Sequence, residues 1–203
     1  MTFFKVYPSA RYVYFAQSAV FSTGYAPGTV TLSNSDKTAT ASSSTEKNVR
    51  LTSAVSSGKY YLEFNVGSGL GASADEFVGM IGSTVANTMF PGNTGSGGFG
   101  AAAARNFTAY TQIGGTHYGA AYSGMVSNSV GMMAVDMDAK KLWMGKDGIW
   151  LYGDPEAGST YMYGDWTGTP TLSPAWRLYY SGSNITINTS IAYTVPSGFV
   201  PFP

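Results

Sequence analysis

Residues Val130 to Gly158 read VGMMAVDMDAKKLWMGKDGIWLYGDPEAG, and this stretch decides the fold. Met133, Val135 and Met137 alternate with Ala134, Asp136 and Asp138, the period of a strand with one face in a core and the other in water. On that reading the aspartates lie on the wet face. A corner at Ala139-Lys140 leads to Leu142-Trp143-Met144, and Asp147-Gly148 then supplies a pair that readily takes the positive φ angles of a two-residue hairpin turn. Ile149-Trp150-Leu151 is the return strand, so the stretch reads as a β-meander.

Working outward, Lys59 to Val66 has the clearest alternation, with Tyr60, Leu62, Phe64 and Val66 on one face and Tyr61, Glu63 and Asn65 on the other. The first set is expected in the core. After a glycine-rich turn, Phe77 to Gly82 suits a buried strand. Thr29 to Ser33, Thr38 to Ser42 and Asn48 to Thr52 read as the opening strands, with Asn34-Ser35-Asp36 as a turn. Downstream, Ala175 to Tyr180 places Trp176, Leu178 and Tyr180 on one side, and Asn184 to Asn188 alternates again. Val85 to Tyr122 is the least regular region. It holds a glycine-rich loop, a small-residue segment at Phe99 to Ala104, and a strand at Asn106 to Gln112 that continues through Thr116 to Gly119. No helix longer than about two turns is supported. The expectation is a single all-β domain over residues 21–203, a sandwich of two antiparallel sheets, preceded by an aromatic arm or strap over residues 1–20.

Three segments carry a resemblance. The central meander with its Lys-Asp-Gly turn and Gly153-Asp154-Pro155-Glu156-Ala157-Gly158 is similar to the central hairpins of SPRY domains in the form found in tailed-phage proteins. Ser57 to Phe64 resembles an early strand of that family, and Ile191 to Phe199 resembles the ending common in its phage versions. Together they run from about Phe21 to Phe202. The resemblance implies a SPRY-like, concanavalin-like jelly-roll sandwich and a non-enzymatic binding or structural module. It is closest to the phage versions, which implies a virion location and a part in the particle: capsid decoration, head-fibre or tail accessory subunit. Such folds host many functions, so the ligand is a separate question.

Composition narrows the classes. Of 203 residues, 44% are hydrophobic, enough for a full core, and only 11% are charged, against about a quarter in an ordinary soluble chain. Eleven basic and eleven acidic residues cancel and are scattered, so there is no basic stripe for a phosphate backbone and nucleic acid is not an expected partner. Without Cys there is no disulfide or thiolate zinc site, and the compartment stays open. Apolar runs fall short of the roughly 20 residues that span a bilayer, so membrane insertion is not expected. Pro8, Ser9 and Arg11 interrupt the N-terminal apolar run, which therefore does not read as a signal peptide.

Residues with chemistry are few. His117 is the single histidine, which leaves no His pair for a metal; Ser96 and Ser123 lie in the same irregular region without a nucleophile motif. Asp136 and Asp138 share a strand face and could in principle share a cation, though a salt-bridged wet face beside Lys140-Lys141 is the simpler reading. A glycosidase needs two carboxyl groups roughly 5 to 10 Å apart across a sugar cleft. Glu63, Asp75, Glu76, Asp154, Glu156 and Asp165 are the candidates, and no motif pairs them. Three Asn-x-Ser/Thr triplets, at Asn106, Asn184 and Asn188, are chance matches in a chain this rich in Ser and Thr. No cofactor is called for.

Two aromatic groups remain. Phe3, Phe4, Tyr7, Tyr12 and Tyr14 belong to the arm, which either straps its own subunit or docks on a neighbouring one in a symmetric assembly with other virion proteins. Trp150, Tyr152, Tyr161, Tyr163 and Trp166 cluster near hairpin ends, where they pack in the core and loops or form a contact surface. The leading expectation is protein–protein contact within a virion. The alternative is a receptor- or carbohydrate-binding module, with Tyr152, Tyr163 and Trp166 stacking on a host surface glycan.

Overall fold

Most strands form where apolar residues recur at every second position, and tight turns separate many of them. The computed structural model describes residues 17–45, 47–69, 77–86, 91, 111–113, 116–118, 127–151, 153–161, 163–164 and 170–203. In chain order the strands are β1 (Val30–Ser33), β2 (Thr38–Ala41), β3 (Lys47–Arg50), β4 (Lys59–Val66), β5 (Phe77–Gly82), β6 (Thr111–Ile113) and β7 (Thr116–Tyr118). They continue with β8 (Val130–Asp136), β9 (Lys141–Lys146), β10 (Ile149–Trp150), β11 (Tyr163–Gly164), β12 (Leu172–Leu178), β13 (Asn184–Ile187) and β14 (Val200–Pro201). No helix occurs among the described residues.

The large sheet runs β1-β2-β13-β4-β8-β9-β10, with β11 added on β9 and β14 added on β4. A second sheet, β3-β12-β5, packs against it, and β6 and β7 pair as a separate hairpin. The expected meander is present as β8-β9-β10. Asp136 stands opposite Lys141, Gly131 opposite Lys146, and Ile149 opposite Lys146 across the turn. Asp147 and Gly148 take φ of 50° and 83°, the left-handed pair that matches the twist of the strands it joins. Asn34, Ser35 and Asp36 are all left-handed too, closing β1 onto β2.

Between the two sheets lies the main core. Leu62, Phe64 and Val66 from β4, and Met133 and Val135 from β8, face Val49, Val78, Trp176 and Leu178 of the smaller sheet. Trp176 is packed edge-on by Phe21 at 5.4 Å and Phe64 at 5.2 Å between ring centres, the offset geometry that aromatic quadrupoles favour. Residues 17–20, at the end of the expected arm, lie against the sandwich: Gln17 and Ala19 are buried. Phe3, Phe4, Tyr7, Tyr12 and Tyr14 lie outside the described residues, as do Ser96, Ser123 and the Phe99 to Ala104 segment.

The other face of the large sheet corrects the sequence reading. Tyr61, Glu63, Ala134 and Asp136 alternate with core residues and were expected to be wet, yet all four are buried. The cause is the C-terminal segment. After β13 the chain leaves the sheet at Asn188, crosses this face, and re-enters it as β14, parallel to β4. Ile191, Tyr193, Val195 and Phe199 from this strap pack on Tyr61, Met132, Ala134 and Trp143 to make a second apolar cluster. Of the two aspartates on β8 and its turn, only Asp138 is exposed.

Candidate functional site

The strap is held by a carboxylate. Glu63 is fully buried, and each of its oxygens accepts two hydrogen bonds. Oε1 takes the Tyr61 hydroxyl at 2.7 Å and the Tyr193 N–H at 2.9 Å; Oε2 takes the Ala192 N–H at 2.8 Å and the Asn188 side-chain amide at 3.3 Å. A charge removed from water is tolerated only when its acceptor positions are filled, and here they are. All four are committed within the protein, so Glu63 has no role open as an acid or base on a sugar.

Glu63 also marks a gap in the ladder. On that edge of β4, Phe64 to Val66 pair with β13 and Tyr60 to Tyr61 pair with β14, and the partner changes between them. Gln17 fills the gap with its side chain. Its Oε1 accepts the Glu63 N–H at 2.8 Å, and its Nε2 donates to the carbonyls of Glu63 at 2.7 Å and Asn188 at 3.1 Å. A primary amide offers the donor and acceptor of a peptide group and so stands in for a strand residue.

At the hairpin end of the strapped face, the structure leaves a cavity of about 210 Å³. Met132 of β8 contributes to its lining, Trp150 of β10 and Tyr193 of the strap supply aromatic walls, and Asp154 and Glu156 supply carboxylates. Each aromatic wall is fixed by close packing. Trp150 meets Tyr61 edge-on at 6.2 Å, and a methyl group on Gly145 would stand 3.0 Å from its ring. Tyr193 lies so close over Gly148 that a Cβ there would be 2.8 Å from the ring. The carboxylates sit on a turn closed by the Asp154–Ser159 bridge, where Asp154 Oδ1 accepts the Glu156 N–H at 2.9 Å and Pro155 is buried.

The expected end-loop aromatics are therefore divided. Trp150 is half-buried, with one part in the second cluster and another on the cavity. Tyr161 packs edge-on to Trp143 at 6.5 Å, beneath the Lys141 ammonium at 5.1 Å from its centre. Tyr163 sits on β11 opposite Leu142. Tyr152 and Trp166 lie outside the described residues. Of the acidic candidates, Asp154 and Glu156 share the cavity, Glu63 is locked, and Asp75, Glu76 and Asp165 lie outside the described residues.

Asp136 binds the Lys59 ammonium at 2.9 Å and caps the Ala139 N–H at 2.8 Å, while Asp138 accepts the Gly58 N–H. The salt-bridge reading therefore holds for Asp136 alone, which is buried and pairs with Lys59 rather than with the Lys140-Lys141 corner, while Asp138 stays exposed. Among the described residues no three His, Cys, Asp or Glu side chains gather as metal ligands. His117 stands on β7, in a hairpin with β6.

Sequence reasoning missed Tyr193 as a cavity wall and Glu63 as a lock. The signal for the first was present: Ile191, Tyr193 and Val195 recur at every second position and all face the sheet. For Glu63 no local signal exists, because its partners lie up to 130 residues away.

A large, mainly antiparallel sheet, a smaller one packed on it, and a C-terminal strap that re-enters the first define the class of domain: an all-β sandwich. The particular fold is SPRY-like. The chain is similar to the SPRY domain of human HERC1, with a TM-score of 0.63 at 16% identity over 83% of this chain and 97% of that one. It is similar also to the TRIM65 PSpry domain, with a TM-score of 0.58 at 12% identity over 84% of this chain and 91% of that one. No family model and no curated protein matches the sequence.

Proposed function

We propose that the protein is a non-enzymatic binding module that works by protein–protein contact, as a structural subunit of a tailed-bacteriophage virion. The observation that carries binding over catalysis is the state of the carboxylates. Glu63 spends every acceptor position on Tyr61 and on the segment from Asn188 to Tyr193, and Asp154 and Glu156 line a preformed cleft between aromatic walls without a histidine or a metal-ligand group beside them among the described residues. Concave sites with aromatic walls and a few placed polar groups suit recognition. The virion assignment is supported by the likeness of three ordered sequence segments to phage SPRY proteins. Few charges and many hydroxyls favour a modest contact repeated around a symmetric particle, where copy number raises avidity.

Co-sedimentation of the full chain with virions of a source phage, and separately with host cells, tests this. Pelleting with virions alone is the expected result. Pelleting with cells, competed by free host polysaccharide, would replace it with receptor binding. A second variant lacking residues 1–15 asks whether the aromatic arm makes the attachment. The deletion stops before Gln17 because that side chain completes the ladder beside Glu63.

A further inference from the structure

We infer that the cavity between Trp150 and Tyr193 is a socket for one cationic side chain, arginine or lysine, presented by a protein partner; this deepens the protein-contact reading and rests on it, but not on the virion location. Charge complementarity is the first argument. Asp154 and Glu156 both line the cavity, no basic residue does, and the one ion pair among the described residues, Lys59 with Asp136, involves neither of them. Both carboxylates are carried on one exposed turn beside the cleft, so a cation entering it meets negative charge and no competing basic group in the lining.

The walls give the second argument. Indole and phenol faces attract cations through the ring quadrupole, tryptophan most strongly. This chain already uses that contact elsewhere, with Arg50 4.3 Å from the centre of Tyr25 and Lys141 5.1 Å from that of Tyr161. Trp150 packs edge-on against Tyr61 and Tyr193 lies against Gly148, contacts that hold both rings in place before a cation enters.

Size is the third. At about 210 Å³ the cavity falls below the roughly 300 Å³ at which drug-sized sites begin, and suits a single side-chain head. A pyranose site would need donors for the sugar's lone pairs as well as acceptors. The two charged groups here are both carboxylates, Thr194 adds a hydroxyl to the lining, and the Gly148 N–H is turned toward the Met132 sulfur at 3.2 Å, so it is net negative charge that favours a cation over a neutral sugar.

The test is an NMR titration of the full chain with N-acetyl-arginine amide, N-acetyl-lysine amide and the neutral isostere N-acetyl-citrulline amide. The Trp150 indole N–H signal is assigned with Trp150→Phe. Both cations are expected to shift the Trp150 indole and the Gly148 and Tyr193 amide signals, with a Kd on the order of millimolar, and citrulline is not. Asp154→Asn with Glu156→Gln, exposed and shape-conserving changes, should weaken the cations by about tenfold, and added salt should do the same in part. Equal shifts from citrulline, shifts from a hexose without shifts from the cations, or no shift from any compound would each overturn the socket. Virion pelleting without a cation response overturns the socket alone. A cation response without pelleting supports the socket and removes the virion location.

Discussion

The Glu63 carboxylate accepts the backbone N–H of Tyr193 at 2.9 Å across a separation of 130 residues. That bond ties the middle of β4 to the strap and sets the aromatic wall of the cleft from the buried side. Removing the carboxylate leaves two strap N–H groups and the Tyr61 hydroxyl without an acceptor in a dry place. Glu63→Ala should therefore lose about 3 kcal/mol or more, read as a lower urea midpoint, and should also abolish the cation response at Trp150.

Gln17 is expected to matter as much to the backbone as a strand residue would. Gln17→Ala leaves the Glu63 N–H unpaired in the gap between β13 and β14, at a cost of about 2 kcal/mol. Amide hydrogen exchange checks the mechanism: the Glu63 N–H should exchange much faster than the Leu62 N–H, while the β8–β9 pairs keep their protection.

Gly148 serves both the turn and the cleft. Its φ of 83° disfavours any L side chain, and an added Cβ would stand 2.8 Å from the Tyr193 ring. Gly148→Ala should destabilise by about 1 to 2 kcal/mol by thermal melting. It should also shift the Tyr193 ring resonances. Gly158→Ala, at φ 64° with open space around it, should show the backbone cost and leave Tyr193 where it is.

Two phenols make stability depend on alkaline pH. Burial pushes Tyr25 up from 10.0 to about 12 against the pull of the nearby Arg50, and burial together with the Glu63 hydrogen bond and charge raises Tyr61. The folded state holds these protons more tightly than the unfolded chain does. Their contribution is complete below pH about 10 and declines as pH rises toward 12 and beyond. A spectrophotometric titration should show a late step in which Tyr25 and Tyr61 ionise together with unfolding, and Tyr61→Phe should remove one chromophore from that step.

Trp176 tests the core. Its indole nitrogen has no hydrogen-bond partner among the described residues although it is buried. Trp176→Ala should cost about 3 to 5 kcal/mol through the cavity left between Phe21 and Phe64. Trp176→Phe keeps much of the packing and removes the orphan donor, so a loss of about 1 kcal/mol or less is expected by urea unfolding.

What the sequence determined by itself is local. Alternation in Lys59 to Val66 and Met133 to Met137 set the strands and the faces turned to the main core, and Asp147-Gly148 set the hairpin, because strand period and left-handed turns depend on neighbouring residues alone. Trp150 was visible as a hairpin-end aromatic for the same reason. Only the tertiary structure decided that the opposite face is dry. A residue such as Tyr61, Glu63 or Asp136 reads as wet unless something distant covers it, and the covering strap arrives from Ile191 to Phe199. The cleft has the same origin: Met132, Trp150, Asp154 and Tyr193 come from four separate segments, and their charge and ring faces acquire a common target only when long-range packing brings those segments together.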